Sequence, residues 1–161
     1  MRRMFSYITL LLGLTVVMAV GTPDVVHAQS DPLVLIVHPE NAAEDLSYQD
    51  VRRIARLDRL YWSQTDGIVL LLPGPAADER RRTLNRVFQM SEQVFKLHWV
   101  SVAYQTEVLS LPRPYTECAV AVRIVGSLKS AAAFVHASCV DETVRVVAVD
   151  GKLPSDPGYR L

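Results

Sequence analysis

Short apolar runs alternate along the chain with stretches in which apolar and polar residues are mixed. The run at 33–37, bounded by Pro32 and Pro39, contains five apolar residues, several of them β-branched. Such a run predicts a strand that is buried on both faces of a sheet. Comparable runs extend the prediction to four strands, at residues 33–37, 68–72, 131–136 and 144–149.

Between these strands, apolar residues recur at spacings of three and four, which predicts helices. Ser47 begins the first helix, and Asp50 follows three residues later as in a capping box. The predicted helices begin at Ser47, run from 77 to 90, begin again at Ser91, and run from 116 to 125, with a loop at 105–116. This order of elements indicates an α/β or α+β fold in which helices cover a small mixed sheet.

Two surface features accompany the first helix. Arg52, Arg56 and Arg59 share one helical face because of their spacing. Such a stripe can bind an anion, but it is more often only a solvated face. Tyr61 and Trp62 follow the helix and are the first candidates for an exposed apolar patch, the alternative being that they pack beneath the next loop.

Residues 1–28 have the pattern of a secretory signal peptide. Arg2 and Arg3 give a positive start, residues 8–20 are almost wholly apolar, and Val26-His27-Ala28 supplies the small residues of a cleavage site. An uncleaved membrane anchor is the alternative, but a bilayer span needs about 20 apolar residues. We therefore expect cleavage after Ala28, export to the periplasm, one domain at 29–151 and an irregular tail at 152–161.

The charge balance excludes several partners. The 161 residues include 17 Lys and Arg and 17 Asp and Glu, and loss of residues 1–28 leaves the chain close to neutral. A near-neutral chain has no field that would gather nucleic acid or acidic lipid. After residue 28 no apolar run is long enough to predict a membrane span.

Cys118 and Cys139 are the two cysteines of the chain. In an exported protein an even pair favours a disulfide, and two separate buried thiols are the alternative. The predicted helix after Cys118 and the predicted strand before Cys139 run in opposite directions, which places both residues near the same end of that unit. This geometry favours a disulfide.

Several segments occur along the chain in a characteristic order: His38-Pro39-Glu40-Asn41, Leu46-Ser47, Val51-Arg52-Arg53-Ile54, Trp62, Asp66-Gly67-Ile68-Val69, Phe88, Trp99 and the segment 144–151. This order resembles that of the periplasmic phosphate-binding proteins of ABC transporters. The chain is most similar to the small, single-lobe relatives of those proteins. The resemblance implies an α/β fold, one lobe of a type 2 periplasmic-binding protein, and a small oxyanion such as phosphate as the ligand.

The sequence departs from that family at the segment expected to hold the oxyanion. Pro73-Gly74-Pro75-Ala76-Ala77-Asp78 replaces a segment rich in glycine and hydroxyl residues. Pro75 has no N–H to donate, and Asp78 would repel an anion. The remaining candidates for ligand binding are Asn41, Ser47, Gly74, Ala76, Ala77, Arg80 and Arg81.

Catalytic patterns are not evident. The sequence contains no Gly-x-Ser-x-Gly, no His-Glu-x-x-His and no phosphate-binding loop with lysine. His98, on the apolar side of a predicted helix, is interpreted as a packed histidine. We expect no enzyme activity, no cofactor and no metal. Two functions remain: a solute-binding-like module with a degenerate anion site, or an interaction protein that docks on an envelope protein or on itself.

Overall fold

The computed structural model describes residues 31–105 and 111–161. The predicted signal peptide and part of the predicted loop at 105–116 lie outside these residues. Within the described residues, no helix is long and apolar enough to cross a membrane.

A five-stranded sheet forms the centre of the domain, in the order β4-β3-β5-β1-β6. Its strands are β1 (Leu33–Val37), β3 (Val69–Pro73), β4 (Arg113–Tyr115), β5 (Ala131–His136) and β6 (Arg145–Val146). β1 is antiparallel to β5 and β6, whereas β3 is parallel to β4 and β5. The sheet is mixed, as the sequence predicts. A small second sheet pairs β2 (Asp45–Leu46) with β7 (Ala148–Val149).

Four α-helices surround the sheet. They are α1 (Tyr48–Ala55), α2 (Arg80–Thr83), α3 (Glu92–Gln105) and α4 (Cys118–Ser127). α2 continues directly into a π-helical turn at Leu84–Phe88, and a 3₁₀ turn at Ala137–Cys139 follows β5. α1 and α3 pack on one face of the sheet and α4 on the other, since successive residues of β1 belong to two different hydrophobic clusters.

Several predicted elements have other boundaries, and β3 and α4 lie one or two residues beyond the predicted 68–72 and 116–125. The predicted helix at 77–90 begins at Arg80, and its helical geometry ends where Gln89 adopts a left-handed conformation (φ 55°). The predicted loop at 105–116 contains β4, whose Tyr115 hydroxyl donates to the carbonyl oxygen of Phe134. A three-residue edge strand with a proline at its centre has too little hydrophobic pattern to predict a strand.

The predicted strand at 144–149 is divided into β6 and β7. The Val147 N–H donates to Leu35 of the large sheet, and the next N–H, that of Ala148, donates to Glu44 beside the small sheet. The chain crosses between the two sheets at this point, which a continuous apolar run cannot reveal.

The arginines of α1 have a structural role. The Arg52 Nε atom donates to the Val87 carbonyl oxygen (3.1 Å), and the Arg56 Nη2 atom donates to the Phe88 carbonyl oxygen (2.8 Å). These carbonyls are at the end of the π-helical turn, where intrahelical partners run out. Arg52 and Arg56 therefore join two elements instead of forming a solvated or anion-binding stripe with Arg59.

Candidate functional site

The turn after β3 holds three of the predicted ligand-binding residues: Gly74, Ala76 and Ala77. The Gly74 N–H donates to the Tyr115 carbonyl oxygen at 2.7 Å, and a Cβ atom at Gly74 would lie 2.9 Å from that same oxygen. This close approach requires glycine. The Ala77 N–H donates to the Gly74 carbonyl oxygen at 3.0 Å. Two N–H groups that an oxyanion would use are therefore already engaged.

Arg80, the first residue of α2, is held by three hydrogen bonds. Its Nε and Nη2 atoms donate to the two carboxylate oxygens of Glu92 at 3.0 and 2.8 Å, and its Nη1 atom donates to the Pro73 carbonyl oxygen at 2.8 Å. The guanidinium also lies 4.2 Å from the centre of the Phe95 ring. The Arg80 side chain is only 14% exposed. Its charge is neutralised inside the molecule by a bidentate pair, the strongest form of carboxylate recognition by arginine.

Glu92 is placed to remain ionised. It is the first residue of α3, where a negative charge also suits the helix dipole. The hydrogen bond from Arg80 lowers the pKa of Glu92 below its ordinary value against the opposing effect of burial, and the charges of Arg80 and Lys96 add smaller effects that also lower it. The Glu92 carboxylate thus holds the position on Arg80 that an external anion would need.

Two surface cavities adjoin the Arg80–Glu92 pair. One, of about 530 Å³, is bordered by Ala76 and by the exposed Arg81, but also by Asp78 and Glu92, whose negative charges disfavour an anion. The other, of about 240 Å³, is mainly apolar and is lined by residues that include Leu72, Phe95, Trp99, Leu111, Pro112 and Pro114. The cavity chemistry around this pair is better suited to apolar contact than to phosphate.

Asn41 and Ser47 lie away from this turn. Asn41 follows the carboxyl end of β1, and Gly74 follows the carboxyl end of β3. Because β1 is antiparallel to β5 and β3 is parallel to it, β1 and β3 run in opposite directions. The carboxyl end of β1 therefore lies beside the amino end of β3 and not beside its carboxyl end. The predicted ligand-binding residues do not converge on one site.

Asn41 and Ser47 both make hydrogen bonds within the fold. The buried Asn41 side chain donates through Nδ2 to the Lys129 carbonyl oxygen and accepts at Oδ1 from the Ala43 N–H, each at 2.9 Å. The Ser47 Oγ atom accepts from the Asp50 N–H at 3.0 Å and caps α1, as the sequence predicts. Neither side chain depends on a ligand to satisfy its hydrogen bonds.

The largest group of exposed apolar side chains among the described residues lies on α3, and of the Tyr61-Trp62 pair only Tyr61 is exposed, at 46%. The Trp62 indole N–H donates to the Ser130 carbonyl oxygen at 3.0 Å, and its ring packs against the core, which is the alternative that the sequence left open. On α3, four large apolar side chains point outward: Val94, Leu97, Val100 and Tyr104. Leu97 is 64% exposed and Tyr104 is 87% exposed. Their spacing places them on one side of the helix; we call these four residues the α3 outer face.

His98 packs at the edge of the core, as predicted. Its ring lies 5.2 Å from that of Trp99, and its buried Nε2 atom has no hydrogen-bond partner in the described parts of the chain. Burial, followed by the nearby charge of Arg56, lowers the pKa of His98. Its contact with Trp99 agrees with the interpretation of His98 as a packed histidine.

Sequence reasoning missed two acidic residues with unusual environments, Glu92 and Glu79. The sequence does contain a signal for Glu92, because this acidic residue lies at the start of a predicted helix and follows an arginine-rich segment. Glu79 has none: it is 3% exposed, and burial of a carboxylate depends on tertiary packing. Glu79 is close enough to Tyr115 that its charge adds to burial in raising the pKa of Tyr115.

The predicted disulfide is present. Cys118, the first residue of α4, is bonded to Cys139, with 6.1 Å between their Cα atoms and 21 residues of sequence separation. It connects the start of α4 to the 3₁₀ turn after β5.

The fold is that of phosphate ABC transporter substrate-binding proteins, as the resemblance in the sequence implied. An ABC-type phosphate transport receptor from Vibrio cholerae superposes with a TM-score of 0.61 at 14% identity, over 78% of this chain and 48% of the receptor. A phosphate ABC transporter substrate-binding protein from Clostridium perfringens with bound phosphate gives 0.57 at 21% identity, over 75% and 46%. PstS from Borrelia burgdorferi gives 0.59 at 11% identity, over 78% and 49%.

These likenesses concern the fold. The chain spans about half the length of the solved structures that it matches. No protein-family model and no curated protein matches the sequence.

Proposed function

We propose that this chain is an exported, non-enzymatic solute-binding-like module, one lobe in size, with a degenerate oxyanion site. The fold supports a binding role, since the similar structures are transport receptors or substrate-binding proteins and one of them has phosphate bound. The site supports the loss of affinity, because the turn after β3 has no hydroxyl groups and the guanidinium of Arg80 beside it is already hydrogen-bonded to Pro73 and Glu92.

The Arg80–Glu92 pair carries this proposal. Arg80 is the buried cation beside the turn, and an oxyanion at this turn would need its guanidinium. Glu92 already supplies two oxygens in the geometry that arginine prefers, so a phosphate would have to displace a tethered carboxylate. A tethered group competes at a high effective concentration, which is the physical reason for weak phosphate binding.

Export to the periplasm is part of the proposal. The pattern of residues 1–28 is that of a signal peptide, and a Cys118–Cys139 disulfide is typical of proteins in oxidising compartments. Both features favour a location outside the cytoplasm.

Calorimetric titration with phosphate at low salt, with sulfate as the control anion, tests the site. For the wild-type protein without its signal peptide we expect no saturable heat up to millimolar phosphate. In Glu92→Ala the Arg80 guanidinium loses its internal partner, and we expect phosphate binding in the millimolar range, about −4 kcal/mol. Glu142→Ala is the matched control, because Glu142 is exposed and distant in sequence from this pair.

Either of two results would overturn this proposal. Micromolar phosphate binding by the wild type would mean that the site is functional and not degenerate. If neither Glu92→Ala nor Glu142→Ala gave saturable heat with phosphate, the turn after β3 would not be an oxyanion site in any form.

A second function, self-association, is favoured by the α3 outer face. Four exposed apolar side chains on one helix are unusual for a surface that has no partner. α3 contains only Glu92 and Lys96 as charged residues, so little repulsion opposes contact between two copies. The similar structures are about twice as long as this chain, and a second copy would supply an equivalent amount of chain.

A further inference from the structure

Glu79 is a buried residue whose carboxylate makes no hydrogen bond or ion pair with the described parts of the chain. It is 3% exposed and precedes α2, but its side chain does not cap the helix. Among residues 31–105 and 111–161, no hydrogen bond or ion pair holds its carboxylate. Burying a carboxylate without a partner is costly, and such a group in a native protein calls for a specific explanation, for example an ion.

The Glu79 carboxylate lies beside the disulfide. One carboxylate oxygen and the Sγ atoms of Cys118 and Cys139 all lie within 4.8 Å of one another. One helical turn away, the buried Thr83 Oγ1 atom has no hydrogen-bond partner in the described part of the chain, and the Thr83 N–H donates to the Glu79 carbonyl oxygen. Oxygen and sulfur atoms that can bind a metal are thus gathered beside the disulfide.

We propose that reduction of the Cys118–Cys139 disulfide creates a binding site for a thiophilic divalent cation, Zn²⁺ in particular, with Glu79 as the third protein ligand. Two thiolates and one carboxylate are zinc ligands, and three protein ligands with one open position are a common arrangement for zinc. Thiolates also select zinc over harder cations such as Mg²⁺ and Ca²⁺.

The geometry of the Cys118–Cys139 disulfide allows its S–S bond to be replaced by two Zn–S bonds. Tetrahedral zinc with Zn–S distances of about 2.3 Å requires sulfur atoms about 3.8 Å apart. The Cα atoms of Cys118 and Cys139 are 6.1 Å apart, so rotation of the two side chains after reduction reaches that separation without moving the backbone. Cys118 begins α4, where unpaired N–H groups favour a thiolate.

The site is accessible from solvent. Cys118 and Cys139 are both partly exposed, whereas Glu79 is buried behind them. Cys139 also lines a surface cavity of about 450 Å³ together with Val122 and Thr143. A metal ion can therefore reach the sulfur atoms first and then the carboxylate, with water at the fourth position.

The zinc site forms in two steps, reduction of the disulfide and then metal binding. A phosphine reductant and water convert the disulfide into two thiols, and the phosphine is oxidised to its oxide. Binding of Zn²⁺ then replaces the two thiol protons, which are released to solvent, and the metal joins both sulfur atoms and the Glu79 carboxylate. Without reduction the sulfur atoms remain bonded to each other, and no thiolate is available.

Zinc titration of the whole protein tests the proposal, with the phosphine-reduced and the untreated protein measured by competition with a chromophoric chelator. We expect one zinc per chain in the reduced protein and none in the untreated protein. Glu79→Gln should weaken zinc binding by at least about tenfold, since even outer-shell partners of a metal contribute that much. Glu142→Gln, a change at an exposed acid, should have no effect.

The absorption spectrum of bound Co²⁺ identifies the atoms that bind the metal. Reduced wild-type protein with Co²⁺ should show the sulfur-to-metal charge-transfer and tetrahedral absorption bands, and Cys118→Ser/Cys139→Ser should show neither. Reduced protein that takes up no zinc would overturn the proposal. Equal zinc affinity of Glu79→Gln and wild type would remove Glu79 from the site, and binding by the untreated protein would show that the sulfur atoms are not ligands.

Discussion

At the scale of single residues, neighbours in sequence have different environments. Arg80 is largely buried and makes three hydrogen bonds, while Arg81 is exposed beside two acids. The sequence identifies both as candidate ligands, because residue type and position are all that it shows. The turn between α2 and α3 determines where Glu92 lies in space. The position of Glu92 in turn determines which arginine acquires an internal partner.

The Arg80–Glu92 pair predicts that the free energy of unfolding depends on pH in the acidic range. The pKa of Glu92 is lowered in the folded protein, chiefly by the hydrogen bond from Arg80. The pair's contribution to stability is therefore complete above the ordinary pKa, about 4.5, and is lost as the pH falls through the lower folded value. Glu92→Gln should be less stable than wild type near neutral pH, and this difference should shrink as the pH falls to about 3.

Urea unfolding at a series of pH values measures this difference. Glu142→Gln, which changes an exposed acid, should stay parallel to wild type over the same range. A constant difference between Glu92→Gln and wild type at all pH values would show that Glu92 contributes through packing and not through its charge.

At the scale of elements, periodicity predicts the interiors of helices and strands better than their connections. β1 and β5 have the predicted boundaries, because each is a buried apolar run that ends at a clear break. α1 begins at its predicted cap. β4 and the division of the last predicted strand were missed, since both depend on pairing with strands distant in sequence.

The cap of α1 provides a test at this scale. Ser47→Ala removes the acceptor for the Asp50 N–H, and we expect a loss of about 1 kcal/mol in the free energy of unfolding. Ser101→Ala, an exposed position within α3, should be close to neutral. Chemical denaturation monitored by circular dichroism measures both. Equal stability of Ser47→Ala and wild type would mean that water replaces the cap without cost.

At the scale of the whole molecule, the candidate site was the least predictable feature. Asn41 and Gly74 each follow a buried strand, which is where binding residues of α/β proteins often lie. The direction of β1 relative to β3 decides whether those two positions meet, and apolar runs carry no information on strand direction. The disulfide was predictable because the helix and strand that bring Cys118 and Cys139 together are consecutive in the chain.

The α3 outer face predicts self-association at this same scale. Leu97→Glu places a charge in the middle of the apolar surface without disturbing the core, since Leu97 is exposed. In sedimentation velocity over a range of concentrations, we expect the wild type to form dimers and Leu97→Glu to remain monomeric. Ala103→Glu adds the same charge on another side of α3 and should still dimerise. A monomeric wild type would reject self-association.

The position of β1 also has a consequence for the order of events during synthesis. β1 is the earliest strand among the described residues, yet it lies inside the sheet and both of its neighbours, β5 and β6, lie more than 90 residues further along the chain. Contacts between such distant segments form late. As the chain emerges from the ribosome, β1 can pair with β5 and β6 only after residues 131–146 have been made, so the large sheet is completed after most of residues 31–146 have been synthesised.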